Sequence, residues 1–350
     1  MSDCSTKWIG ASFYFYCIGI VLSGAINGAL IGFLRTKKRF ANYKYLMLAF
    51  AVAGLVFSGC NVVVNPNIHM GRNSVIIFSP QKYSKLPKRF ESIGLSAFVA
   101  CFGMMISSVF IQVLYRYTFV TNPSRLAHLF SKKSFILWTL LIVFYSSLFG
   151  CSTYYLLGAS ASKDQTTNEE FMANDCMEPD EYSYIGAEYY QKNIGTIRFH
   201  LPSLIGLLVL SLLMIIPIIP IVFIICRMFQ IFKEPGVPIY ASRKVQRELA
   251  KSLLIQTFLY TPFILMFVTF MFGLQISFLV YLFTIFVSIY PCINSLVTMK
   301  YVAVLREELS KCFCFNKCHR QRVDIIGSYI DRSVAYVMQE MAIRDGAPLP

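Results

Sequence analysis

The run SLLIQTFLYTPFILMFVTFMFGLQISFLVYLFTIFVSIYPCINSLVTM, Ser252–Met299, is 48 residues long and holds no Asp, Glu, Lys or Arg. As one straight helix it would measure roughly 72 Å at about 1.5 Å per residue. That is more than twice the ~30 Å hydrocarbon core of a bilayer, which about 20 apolar residues cross as a helix. The run must fold back on itself, with Gly273-Leu274-Gln275 as the expected turn. Five shorter uncharged runs precede it: Trp8–Leu34, Tyr45–Gly71, Ser92–Tyr115, Ser134–Ser162 and Phe199–Cys226, of 27, 27, 24, 29 and 28 residues. Each crosses once. Five and two make seven spans, expected near residues 8–34, 45–65, 92–115, 134–157, 199–226, 252–272 and 276–299. The expected fold is an all-α membrane protein, a seven-transmembrane helical bundle.

Composition agrees. The 350 residues are 56% hydrophobic and only 14% charged, against roughly 25% charged in soluble domains. A soluble enzyme, a nucleic-acid-binding domain and a disulfide miniprotein are excluded. The net charge of +14 would point to nucleic acid in a soluble protein. Here it reports topology, because cytoplasmic loops retain Lys and Arg. With the N-terminus outside, the inner loops and tail hold 23 basic residues and the outer segments nine. The orientation is therefore N-out and C-in, with one awkward loop, Arg72 to Arg89, basic on the outer side. Residues 1–7 form a short outer segment, 8–299 the bundle, and 300–350 a cytoplasmic tail with a short membrane-parallel helix. Met1-Ser2-Asp3-Cys4 lacks a basic n-region and the first apolar run is too long for a signal peptide's h-region. The first helix is expected to direct insertion itself.

The loop Pro66–Glu91 carries an apolar patch, Val75-Ile76-Ile77-Phe78, suited to a short strand or lid. The loop Gly158–Arg198 is acidic, with Cys176 near its centre. No Asp or Glu falls inside a span, and the ionisable candidates are His69 and His200 near outer ends, with tyrosines and cysteines. Ion-coupled transporters place carboxylates at mid-membrane, and intramembrane hydrolases need a base or metal ligand beside a nucleophile. Neither set is present, so no enzyme, cofactor or metal site is expected. A receptor or a passive conduit remains.

Three stretches stand out. Leu114-Tyr115-Arg116-Tyr117 ends the third apolar run, where Arg116 either presents its guanidinium to a partner or snorkels at the membrane boundary. Gln246-Arg247-Glu248-Leu249-Ala250-Lys251 leads into the sixth run and Pro262, as an amphipathic extension of that helix. Tyr290-Pro291-Cys292-Ile293-Asn294 ends the seventh as a kinked helix with a polar residue after the proline. Proline in a span frees a carbonyl that neighbouring helices must satisfy, which applies equally to Pro202, Pro217 and Pro220. Asn27, among small residues, is either an inter-helix hydrogen-bonding hub or a tolerated polar residue.

Seven spans with LYRY ending the third, QRELAKSLLIQT opening the sixth and YPCINSLVTMKY ending the seventh resemble the nematode serpentine chemoreceptors of the Str superfamily. Pro66-Asn67-Ile68-His69-Met70-Gly71 is similar to that family too, and the resemblance runs to about Arg306. It implies a rhodopsin-like G-protein-coupled receptor architecture in the plasma membrane, in sensory-neuron cilia, responding to a small-molecule odorant or pheromone. It also implies that Arg116 is the arginine gating the heterotrimeric G-protein site, with Tyr115, Tyr117, Arg247, Pro262, Pro291 and Asn294 as its switch. The chain departs from the broader rhodopsin-like pattern. Ala49 to Ala53 contain no Asp, so no sodium pocket is expected. Cys101, about four turns from Arg116, sits too deep to pair readily with Cys176, and Cys4 is another candidate.

A mostly apolar ligand pocket is expected between the outer halves of spans three, five, six and seven, at Cys101, Phe102, Met105, Leu204, Phe267 and Leu279. No charged side chain is available there, which favours neutral or weakly polar ligands. The alternative function, a passive channel or carrier for small neutral solutes, needs a polar lane at full depth. Only Ser107, Ser108, Gln112, Gln256 and Thr257 are scattered there. In the tail, Cys312, Cys314 and Cys318 follow the stretch Val304–Lys311, and Lys311, Lys317, Arg320 and Arg322 would attract anionic membrane lipid. These cysteines suit S-acylation, free thiols or, with His319 and awkward spacing, zinc.

Overall fold

The computed structural model describes residues 7–36, 43–71, 74–121, 129–174, 176–193, 196–233, 243–259, 261–262, 265 and 277–301. Six of its helices are long and apolar enough to cross a membrane. They are α1 (Lys7–Thr36), α2 (Tyr43–Val64), α3 (Lys88–Thr121), α4 (Lys132–Leu157), α6 (Leu201–Lys233) and α8 (Ser277–Tyr301). The sixth span begins as α7 (Arg243–Phe258), which takes in the charged Gln246–Lys251 stretch. Most of the rest of that span, with Phe267, lies outside the described residues. This is a mostly helical serpentine bundle.

Residue chemistry explains how the helices pack. Ile136, Leu137, Leu140 and Phe144 of α4 are exposed, as a lipid-facing surface requires, whereas α3 runs through the core. Pro202 sits in the first turn of α6, where its missing N–H is not needed. Pro217 and Pro291 lie within helices and leave the carbonyls four residues back without their usual donor. Neighbouring helices supply one in each case. Tyr145 of α4 donates its hydroxyl to the Leu213 carbonyl, and Asn61 of α2 donates Nδ2 to the Val287 carbonyl at 3.4 Å. Asn27 is a hub: Nδ2 donates to the Ser23 carbonyl at 3.0 Å, and Oδ1 accepts from Ser295 of α8 at 2.5 Å. Gly19 lets α1 and α8 touch, since a Cβ there would lie 2.5 Å from the Ser288 carbonyl oxygen.

Both long connecting loops are folded at the end of the bundle where α1 begins. Strands β1 (Asn67–Met70), β2 (Ser74–Pro80) and β3 (Tyr182–Glu188) form an antiparallel sheet in that order. Its register pairs Ile68 with Ile77 and Ile77 with Ile185. A second hairpin joins β4 (Tyr190–Asn193) to β5 (Thr196–Phe199). The unbroken Val75–Phe78 patch is a strand covered on both faces, as such a run should be. Val75 and Ile77 face the bundle with Ile185 and Ala187, while Ile76 and Phe78 pack outward with Tyr182, Tyr184 and Phe171.

Phe171 belongs to α5 (Ala161–Asn174), a polar helix laid over the sheet. Its ring stacks on Tyr182 with centroids 4.2 Å apart. Asp164 accepts from the Tyr184 hydroxyl at 2.6 Å, Asn168 from Tyr182 at 2.7 Å, and Glu170 from Ser74 at 2.6 Å. His69 of β1 stacks on Phe171 at 4.7 Å. Sheet and helix together make a two-layered cap. Cys176, which follows α5, is disulfide-bonded. Cys101 is a free thiol, so it is not the partner.

Candidate functional site

Beneath the sheet lies an apolar cavity of about 110 Å³. Its roof is Val75 and Ile77 of β2 with Ile185, Gly186 and Ala187 of β3. Val99 and Phe102 of α3, Phe149 and Leu157 of α4, and Leu207, Leu210 and Met214 of α6 wall it, and Phe283 of α8 closes one side. The roof depends on a glycine: a Cβ on Gly186 would lie 2.5 Å from the Val75 carbonyl oxygen across the strand pair. Among the described lining residues the one side-chain hydroxyl, on Thr153, is turned back onto the Phe149 carbonyl at 2.8 Å. The described walls therefore offer a ligand apolar contact and no charge.

Of the residues expected to line a pocket, Phe102 does so. Cys101 is half-buried and packs, as Cys60 of α2 does, against the central core. Met105 is buried in the central core. Leu204 is half-buried one turn before the lining Leu207. Phe267 and the Leu279 side chain lie outside what the structure describes. Span four and the sheet contribute walls that the expectation did not include. Val75–Phe78 was the sequence signal for the roof, whereas nothing in Tyr182–Glu188 announces its partner strand.

One cation buttresses the cavity from behind. Lys163, in the first turn of α5, is 2% exposed. Its Nζ donates to the carbonyls of Leu157 at 3.2 Å, of Gly158, and of Gly186 at 3.2 Å. Burial lowers its pKa from 10.5 to about 8, against the upward pull of the Glu188 and Asp164 carboxylates. His200, just before α6, accepts the Ser203 N–H on Nδ1 at 3.3 Å and so caps that helix.

At the opposite end of the bundle, α3 continues through Arg116 to Thr121. Arg116 is therefore enclosed, at 3% exposure, and does not snorkel. Around that end of α3, Val113 and Val120 cluster with Met228 and Phe232 of α6 and with Ala250 and Leu253 of α7. Tyr115 meets Phe130 edge-on at 4.8 Å, and Tyr117 packs against the core. Asn294 donates Nδ2 to the Tyr290 hydroxyl at 3.3 Å, and its carbonyl accepts from Thr298 at 3.1 Å. Gln256 of α7 donates to that Thr298 hydroxyl at 2.8 Å. This polar seam brings Asn294 and the helix holding Pro291 against α7, one turn from where Pro262 follows. Arg247 is in α7, with its side chain outside what the structure describes. Cys312, Cys314 and Cys318 lie outside the described residues altogether. The hydroxyls of Ser107, Ser108 and Thr257 donate to carbonyls of their own helices, so they do not line a polar lane.

Two relatives are similar in sequence over most of the chain. Serpentine receptor class r-10 of Caenorhabditis elegans is 24% identical over 317 residues, covering 86% of this chain and 90% of the relative. The receptor of the same description from Caenorhabditis briggsae is 23% identical over 318 residues, with the same coverage. G-protein coupled receptor str-33 of Caenorhabditis elegans matches 150 residues at 26% identity, 43% of this chain and 38% of the relative. Residues 12–310 match the family described as serpentine type 7TM GPCR chemoreceptor Str. With that match spanning the helices, the capping sheet and the polar seam, the chain belongs to the Str family of serpentine seven-transmembrane chemoreceptors.

Proposed function

We propose that this receptor sits in the plasma membrane of a sensory neuron, at its cilia, with the N-terminus outside. It binds a small neutral odorant- or pheromone-type molecule in the cavity beneath the sheet and activates a heterotrimeric G protein at the opposite end. The observation that carries the reading is the cavity itself, uncharged on every described wall and capped by two folded layers. A 150 Å³ apolar cavity holds benzene, so a space of about 110 Å³ suits ligands of that order of size. Ligand contact with Phe102, Leu210 and Phe283 would pass to the far end along α3, α6 and α8. There Arg116, flanked by Tyr115 and Tyr117, would meet the G protein. Arg247, Pro262, Pro291 and Asn294 would carry the helix movements. S-acylation at Cys312, Cys314 and Cys318 would hold the tail to the membrane.

The test is expression with a calcium or cAMP reporter and a screen of volatile and water-soluble chemicals. For an agonist so found, Leu210→Trp fills the cavity and should reduce potency by at least about tenfold, a loss of about 1.4 kcal/mol, with surface expression retained. Arg116→Ala should leave binding intact and change signalling. Unchanged potency in both Leu210→Trp and Phe102→Trp would remove the cavity from the mechanism. An unchanged dose–response in Arg116→Ala would remove the arginine.

A further inference from the structure

Lys163 joins two parts of the cavity that are far apart in sequence. Leu157 is the last residue of α4 and lines a wall; Gly186 is in β3 and lines the roof. The final carbonyls of a helix lack partners within it, and the Lys163 ammonium takes those of Leu157 and, beside it, Gly158 while also holding Gly186. An isolated backbone bridge, Gly158 to Ile185, runs alongside. One buried cation thus ties the roof to the wall, and all three of its N–H groups have acceptors.

We infer that Lys163 is the positioning residue of the ligand site, and that its protonation state sets how tightly the roof closes over an apolar ligand. The inference rests on reading the cavity as the ligand site. A neutral amine has two N–H donors and a lone pair, so losing the proton releases one of the three carbonyls and turns a lone pair toward it. The titratable groups facing Lys163 are Asp164 beside it in α5, Glu188 at the end of β3 and His200 before α6. Asp164 accepts from Tyr184 at 2.6 Å, and Glu188 is 3% exposed. Burial and the Lys163 charge hold His200 below the usual histidine range. Lys163, brought down to about 8, is the group of this cluster that changes charge in weakly alkaline solution.

The sign separates this role from a plain tether. Between about pH 8 and pH 10.5 the unfolded chain keeps the Lys163 proton that the folded one has released, so the folded state gains stability as pH rises. Ligand affinity moves the other way, because the roof has lost a contact. By reciprocity, a ligand that prefers the tied roof must raise the Lys163 pKa when it binds.

Purified receptor in lipid nanodiscs, with fluorobenzene as the probe followed by fluorine NMR, tests this from about pH 7 to about pH 9.5. Wild-type affinity should fall about two- to tenfold across that range, the span of one hydrogen bond's net contribution. Lys163→Met should bind weakly with no such pH dependence, and Lys163→Arg, charged throughout, should also show none. A second reading is the difference in melting temperature between wild type and Lys163→Met, which should change with pH above about 8. Intact fluorobenzene binding with a flat wild-type profile overturns the role of Lys163 and leaves the cavity reading standing. No binding at any pH sinks the cavity reading and this inference with it. A melting difference that is constant with pH shows that Lys163 does not titrate in this window and overturns the inference on its own.

Discussion

Two prolines show how single residues decide which helices touch. Pro217 and Pro291 strip the Leu213 and Val287 carbonyls of their donors, and Tyr145 and Asn61 reach across from α4 and α2 to replace them. Removing either replacement leaves a buried carbonyl unpaired at a cost of about 1–3 kcal/mol. Tyr145→Phe and Asn61→Leu should each lower the melting temperature in detergent, while Tyr154→Phe, on an exposed ring, should not. Equal melting of all three would mean that the freed carbonyls have found other partners. The prolines and Asn294 were visible in the chain, because they punctuate apolar runs. Their partners were not, because a pairing 226 residues apart, as between Asn61 and Val287, leaves no periodic trace. Arg116 was visible for the same reason as the prolines. Its burial was not, because a boundary drawn at the last uncharged residue stops before the helix does.

At the scale of elements, the helices are the part most readable from sequence, and the cap is the least. A run of more than 20 apolar residues has one stable form in a bilayer, since every backbone group must be satisfied internally. The cap follows ordinary soluble rules. There Val75–Phe78 reads as a buried strand, but Tyr182–Glu188 mixes tyrosine, serine and glycine and becomes a strand through pairing with β2. The polar α5 joins them through side-chain contacts to Tyr182, Tyr184 and Ser74 that no local pattern displays. The cavity inherits this: its α3 wall was expected at Phe102, while its roof came from a non-local pairing. Cys176 anchors the end of α5, so Cys176→Ser should destabilise the cap by up to the ~2–4 kcal/mol typical of a lost disulfide. Cys101→Ser should leave the disulfide content of the receptor unchanged. Thiol counting by mass spectrometry under denaturing, non-reducing conditions checks both, and loss of a disulfide in Cys101→Ser would refute the assignment.

For the whole molecule, the open physical question is which way the bundle sits in the membrane. The bias of 23 basic residues against nine argues for the tail inside, yet the loop before α3 and the start of that helix carry Lys82, Lys85, Lys88 and Arg89 on the side proposed as the exterior. The fold explains why that loop is a weak topological signal. Lys88 is paired with Asp180 at 2.6 Å, and Lys85 sits over the Phe13 ring at 5.5 Å. The loop is also continuous with a folded cap of sheet and helix. Among the described residues Asp164, Glu169, Glu170 and Glu188 share that cap and offset its positive charge. An epitope inserted between Gln81 and Leu86 should therefore be stained on intact cells, while an epitope after Pro350 should be stained only after permeabilisation. The reverse pattern would put the cap and its cavity in the cytoplasm, where a receptor for external chemicals has no use for them.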